Sequence, residues 1–103
     1  MLKLTFYVPV EFKEVVKNAL FEVGVGRIGN YDRCSFETEG QGQFRALEGS
    51  NPTIGKIGNV EKISEVRVEM VMDDHILSSA VKALKNSHPY ETPAYDVVKC
   101  MEA

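Results

Sequence analysis

Toward the end of the sequence His88, Tyr90 and Glu91 stand between and beside two prolines, Pro89 and Pro93. An imidazole and a carboxylate so close together can hold a divalent metal or move protons, and the phenol adds a hydrogen-bonding group. His88 and Glu91 are therefore the candidate metal ligands, and Cu or Zn is the cofactor that such a pair would suit. Two ligands do not close a metal site, so copies from neighbouring chains would have to complete it. The same residues also have a structural reading, in which the prolines shape a junction and Tyr90 packs. Sequence alone leaves both open.

Other constellations read differently. Gly24-Val25-Gly26-Arg27-Ile28-Gly29 spells G-x-G-x-x-G. A dinucleotide site needs that run after a strand and at the opening of a helix, so that helix N–H groups face the pyrophosphate. Here it follows a helical pattern and leads into a strand, so it reads as a structural turn. Asp73-Asp74-His75 offers metal-ligand chemistry, yet Asp at a helix start is better explained by capping and the helix dipole. Cys34-Ser35 contains nucleophiles, but no base can be assigned to them. Asn51-Pro52-Thr53 is no glycosylation signal, because proline holds the middle position. No catalytic residue is assigned.

Elements must position these residues. Leu2, Leu4, Phe6 and Val8 alternate with Lys3, Thr5 and Tyr7, which is the period of a strand. Pro9 ends it for want of an N–H. Phe12, Val15, Val16, Ala19, Leu20 and Val23 form a helical stripe, and Gly24 stands where a left-handed cap is expected. Tyr31 to Leu47 reads as a hairpin turning at Gly40-Gln41-Gly42. Glu48 to Val60 is rich in turn residues, a long loop for so small a chain. Val66, Val68, Met70 and Met72 resume strand alternation. Asp73 or Asp74 is a plausible N-cap for a helix carrying Leu77, Ala80, Val81 and Leu84, which stops at His88-Pro89. Tyr95 to Met101 is the last strand.

Two strand–helix units, each followed by a returning strand, are the order of a ferredoxin-like βαββαβ domain. The fold class expected is thus α+β, with an antiparallel sheet, two helices on one face, an extra β-hairpin and a long glycine-rich loop. Residues 1–103 form one domain, a normal size for one. The bare sheet face would carry Tyr7, Val71 and Val97 or Val98, and self-association over it is the natural cover.

Composition excludes some partners. Net charge is −3, and Lys and Arg are scattered among more numerous acids, so nucleic acid is not an expected partner. No apolar run approaches the ~20 residues that span a bilayer, and the start lacks the blocks of a signal peptide. A cytoplasmic protein with no membrane partner is expected. Cys34 and Cys100 have no C-x-x-C spacing and are expected as thiols filling the core.

Three blocks carry a family resemblance: Gly26 to Phe36 (GRIGNYDRCSF), Gly40-Gln41-Gly42-Gln43-Phe44 with Glu48-Gly49-Ser50-Asn51-Pro52, and His88 to Asp96 (HPYETPAYD). In this order they resemble the insertion domain of the Nif-three-like family over nearly the whole chain. His88-Pro89-Tyr90-Glu91 with Pro93 is also similar to the C-terminal motif of CutA proteins. The resemblance implies a PII/CutA-like member of the ferredoxin-like folds, here as a stand-alone protein. It implies a homo-oligomer, a trimer before a dimer, with small molecules or another protein bound by loops beside the subunit clefts. His88, Tyr90, Glu91, Asn51 and Lys56 are then the candidate ligand-binding residues, Lys56 as the partner of an anion. Full-length Nif-three-like proteins carry a two-metal site in flanking core domains. Those ligands have no matching positions here, so neither they nor a hydrolase activity are carried over. The function expected is a non-catalytic oligomeric module that binds a ligand or partner at subunit clefts. Two alternatives stand beside it: a CutA-like divalent-metal binder, and a detached regulatory piece of a metal-dependent hydrolase encoded separately.

Overall fold

The structure, a computed structural model, describes residues 1–102. The elements run β1 (Leu2–Pro9), a 3₁₀ turn at Val10–Phe12, α1 (Lys13–Glu22), β2 (Phe36–Arg45), β3 (Val60–Met72), a 3₁₀ turn at Asp74–Ile76, α2 (Leu77–Ser87) and β4 (Tyr95–Lys99). The sheet order is β2-β3-β1-β4, antiparallel throughout. This is the ferredoxin-like arrangement expected from the order of apolar periods. No helix among the described residues is long and apolar enough to cross a membrane.

The core lies between the sheet and both helices. Leu4, Phe6 and Val8 of β1 meet Val66, Val68 and Met70 of β3, and Val16, Leu20, Ala80 and Leu84 close it from the helices. Fully burying side chains of this size stabilises a fold by about 1.5–3 kcal/mol each. The α1 stripe is narrower than expected, since Val15 and Phe12 are exposed. Only Val16 and Leu20 of α1 are buried. The cysteines are free, as expected, but only half-buried, not core residues. Cys34 sits in the loop before β2, and Cys100 lies just past the end of the β4 ladder. The expected Asp cap is also absent. Neither Asp73 nor any other side chain caps the turn before α2. Asp74 instead binds Lys99 and the terminal amine, which hold its carboxyl down at about 2.

The expected hairpin at Gly40-Gln41-Gly42 is not there. The chain runs through those glycines as one ten-residue strand, β2, paired with β3 from Phe36 opposite Glu69 to Arg45 opposite Val60. The glycines make room and do not turn: the Glu65 carboxyl group occupies the space that a Cβ on Gly42 would fill. β3 begins six residues earlier than its apolar alternation suggested, at Val60. β1 pairs with it only from Glu65 onward. The outer parts of β2 and β3 thus project as a two-stranded arm, and the molecule measures 46 × 24 × 24 Å.

The glycine-rich run after α1 is a structural turn, as read. Gly24 has φ +99°, and the pair Gly24 N–H to Phe21 O and Val25 N–H to Leu20 O closes the helix in a Schellman cap. Gly26 then donates to Val71 O and accepts from Cys34 N–H, both at 2.8 Å, tying the loop to the edge of β3.

At the far end of α2, His88 is buried. Its Nε2–H donates to Tyr7 O at 2.7 Å, and its Nδ1 accepts from Tyr90 N–H at 3.1 Å. Both bonds are made by the neutral ring. Burial pushes the imidazole pKa below its ordinary value, partly offset by the Tyr7 carbonyl.

Two outcomes follow from these contacts. At Gly26, φ is +86° and a Cβ would lie 2.8 Å from Cys34 O, whereas at Gly29, φ is +57° with open space around it. Gly26→Ala should cost at least about 2 kcal/mol and Gly29→Ala roughly 1 kcal/mol, read by urea unfolding. Equal costs would show that the close approach at Gly26 carries no weight. His88→Gln should cost about 1–3 kcal/mol through its buried polar partners. Because the folded-state pKa is depressed, the unfolded chain takes the proton first. The stability that neutral His88 supplies is therefore whole above about pH 6.5 and lost as pH falls below it. Thermal midpoints between pH 7.5 and 5 should show that acid-side loss in the native chain and a smaller one in the variant.

Candidate functional site

Alternation along the strands decides what faces away from the helices. On β1 these are Lys3, Thr5 and Tyr7; on β3, Glu65, Arg67, Glu69 and Val71; on β2, Phe36, Thr38, Gly40, Gly42 and Phe44. Near the termini this open face is a charge grid, with Lys3 on Glu69 at 2.7 Å and Arg67 on Glu69 at 3.7 Å. Toward the arm it becomes apolar and concave.

The concavity is a groove of about 490 Å³. The arm forms one wall through Phe44. The second wall comes from the 46–59 loop, which folds back on the α2–β4 junction: Asn51 N–H donates to the Glu91 carboxylate at 3.1 Å, and Thr53 Oγ–H donates to Pro89 O at 2.8 Å. Ala46, Leu47, Pro52 and Ile54 of that loop give it apolar surface. Tyr7 and Tyr90 complete it from β1 and the junction. The Tyr90 ring stands edge-on to Phe44, with centroids 6.0 Å apart, and leans on His88 at 5.1 Å.

Glu65 supplies the charge. Among the described residues it enters no ion pair, and its side chain lies along the sheet over Gly42. Burial raises its pKa above the ordinary carboxylate value, the nearby Tyr90 hydroxyl partly opposing this. The Tyr90 hydroxyl itself is buried and makes no hydrogen bond of normal geometry, the acceptor it approaches being the Glu65 carboxylate. Burial first, and then the Glu65 charge, push it up to about 12. A second, shallower depression of about 250 Å³ adjoins the groove and shares Tyr7, Gly42 and Glu65 with it. Glu65 thus serves both hollows of the open face.

The residues singled out in the sequence are distributed unevenly around this site. Tyr90 is a wall, and Glu91 is on the rim, already accepting from Asn51. Asn51 anchors the loop through its backbone, and Lys56 lies outside the groove lining. His88 stands behind Tyr90 with both ring nitrogens engaged by backbone groups, so in this arrangement neither presents a lone pair to a metal. The residues that sequence reasoning missed are Tyr7, Phe44 and Glu65. The signal for Glu65 was a glycine-spaced strand, Gly40-Gln41-Gly42, beside an acidic one, but reading those glycines as a turn hid the pairing.

No family model matches the chain. Curated relatives do. A protein of Bacillus subtilis called a GTP cyclohydrolase 1 type 2 homolog is 44% identical over 95 residues, which is 92% of this chain and 26% of that protein. A Mycobacterium bovis protein of the same name is also 44% identical over 95 residues, 92% of this chain and 25% of its own length. The chain thus spans about a quarter of the length of the curated relatives it matches. Among solved structures, a Bacillus cereus protein related to NIF3 superposes with a TM-score of 0.80 at 40% identity, over 93% of this chain and 24% of that one. CutA1 from Pyrococcus horikoshii superposes with a TM-score of 0.70 at 19% identity, over 100% of this chain and 86% of that one, a likeness of fold. The resemblance read from the three sequence blocks is thereby established: this chain is a homologue of one quarter-length segment of NIF3-related proteins, built on the CutA-like ferredoxin-like fold.

Proposed function

We propose that this chain is a binding module that holds a small, flat organic molecule in the groove beneath the β2–β3 arm, and that it self-associates over its open sheet face. The observation that carries the first part is the convergence of the buried Tyr90 hydroxyl and the Glu65 carboxylate in an apolar groove of about 490 Å³. Pockets of roughly 300–1,000 Å³ suit small molecules, and a few convergent polar groups on apolar walls are what fixes a ligand. The curated relatives are named as homologues of a GTP cyclohydrolase. For this segment the groove supports holding a molecule, since the groups meeting there are a phenol and a carboxylate, not a nucleophile hydrogen-bonded to a base.

The second part rests on exposed apolar side chains of the open face. Phe36 at the start of β2 is 69% exposed, and Val98 of β4 is 49% exposed. Sister copies would cover them, and a ring of three is the count that the PII-like resemblance implies. Assembly would set the groove beside a subunit boundary.

Each part has its own test. A panel of neutral heteroaromatic fragments, followed in ¹H–¹⁵N spectra, should shift residues around Tyr7, Phe44, Glu65 and Tyr90, and Phe44→Ala should weaken the best fragment about tenfold, near 1.4 kcal/mol. Shifts scattered elsewhere would end the groove reading. Sedimentation equilibrium should give an oligomer for the native chain and a monomer for Phe36→Glu with Val98→Glu. A native chain that stays monomeric at high micromolar concentration would end the assembly reading.

A further inference from the structure

Resting on the groove reading above, we propose that the groove selects organic cations, an amidinium or guanidinium group on a flat apolar body, and that Glu65 reads the charge. Three observations and one rule of bonding carry this. First, Glu65 is half-buried and, among the described residues, in no ion pair: Lys3 lies on Glu69 at 2.7 Å, Arg67 reaches Glu69 at 3.7 Å, and Arg45 of the groove lining makes no ion pair with it. A carboxylate withdrawn from water without a counter-charge is costly, and a bound cation removes that cost.

Second, the surroundings are aromatic. Tyr7, Phe44 and Tyr90 line the same groove as Glu65. Ring faces attract cations, more strongly once water is excluded, and aromatic cages are a recurrent way to hold organic ammonium groups. Third, a carboxylate meets an amidinium or guanidinium through two parallel N–H···O bonds, which fixes orientation as well as charge.

Fourth, the charges around the groove favour a positive guest. Glu65 comes from β3, Glu91 from the α2–β4 junction and Arg45 from the end of β2. Glu11, from the turn before α1, is close enough to Tyr90 to help raise its pKa. Two acids thus line the hollow against a single base, with Glu11 beyond the lining and Arg67 in the adjoining depression. A triphosphate would meet the carboxylates with like charge, so the nucleotide in the relatives' name does not suit this hollow.

The test compares molecules of one shape and different charge. Benzamidine, its neutral isostere benzamide, and GTP are titrated into the native chain by calorimetry and by ¹H–¹⁵N spectra. Benzamidine should shift the resonances around Tyr7, Phe44 and Tyr90 and bind at least tenfold more tightly than benzamide. Its affinity should fall as pH is lowered through the raised titration of Glu65. Glu65→Gln should abolish the preference, bringing benzamidine to the affinity of benzamide. If that variant is poorly folded by circular dichroism, Glu65→Asp, which keeps the charge and shortens its reach, should weaken benzamidine more than benzamide. Benzamide binding as tightly as benzamidine, with shifts in the groove, would overturn the cation selectivity and leave the groove standing. GTP binding there more tightly than benzamidine would overturn the charge assignment. No groove shift from any of the three, nor from the neutral fragments above, would remove the groove reading itself.

Discussion

A buried imidazole holds the groove end of this fold together. The chain leaves α2 at Ser87 and must reach β4 at Tyr95 through a segment with two prolines. Proline takes backbone donors out of play, so few main-chain bonds can fix such a segment. His88 supplies what is missing. Its two nitrogens bridge the Tyr7 carbonyl and the Tyr90 N–H, and so clamp the junction to β1. Everything nearby is set by that clamp. Tyr90 is aimed at Phe44, and Glu91 is placed to accept Asn51 N–H. The 46–59 loop finds a surface to fold back on. A neutral ring meets both demands, since Nε2 donates and Nδ1 accepts, and burial favours the neutral form.

Glu65 works against the same background in the opposite sense. His88 is buried with every polar atom paired, while Glu65 is partly buried with no counter-charge among the described residues. Its pKa is raised, so the folded chain binds its proton more tightly than the unfolded chain does. Stability from this group is therefore greatest below the ordinary carboxylate value and is lost as pH rises through the raised one. At neutral pH the ionised side chain is a net cost to the fold. The strand opposite accommodates it: Gly42 has no side chain where the carboxyl lies, and a Cβ there would collide with it. A fold that keeps an acid without a counter-charge and clears space for it is what the proposed cation site requires.

The sequence revealed the frame more readily than the site, for a physical reason. Apolar periods report burial on the helix side of the sheet, and Leu4, Phe6, Val66 and Val68 all lie where alternation put them. The open face has no comparable period, because charge and aromatic residues mix there. Glycine was the main source of error. At Gly24 and Gly26 it serves a left-handed backbone, which the helix stop before it made legible. At Gly40 and Gly42 it serves a neighbouring side chain, and nothing local distinguishes that use from a turn. With those two misread, β2 was cut in half, and its pairing with the outer part of β3 was lost. Tyr90 was found because the junction motif drew attention to it. Its partners Tyr7, Phe44 and Glu65 come from three different strands, and only register brings them together.

The groove and the proposed assembly surface share one face, and this makes them physically dependent on each other. Glu65 borders both hollows of that face. If sister copies cover the face, water withdraws further from Glu65, and the cost of its charge rises. An assembled ring would then either protonate the carboxyl or hold a cation against it. The first route weakens as pH rises; the second strengthens as more of the carboxyl ionises. A cation that pairs with Glu65 thus favours the closed assembly over the open chain by the same free energy with which closure tightens its own binding. On this argument occupancy and association are two readings of one carboxylate, and the arm that forms the groove wall lies where each can influence the other.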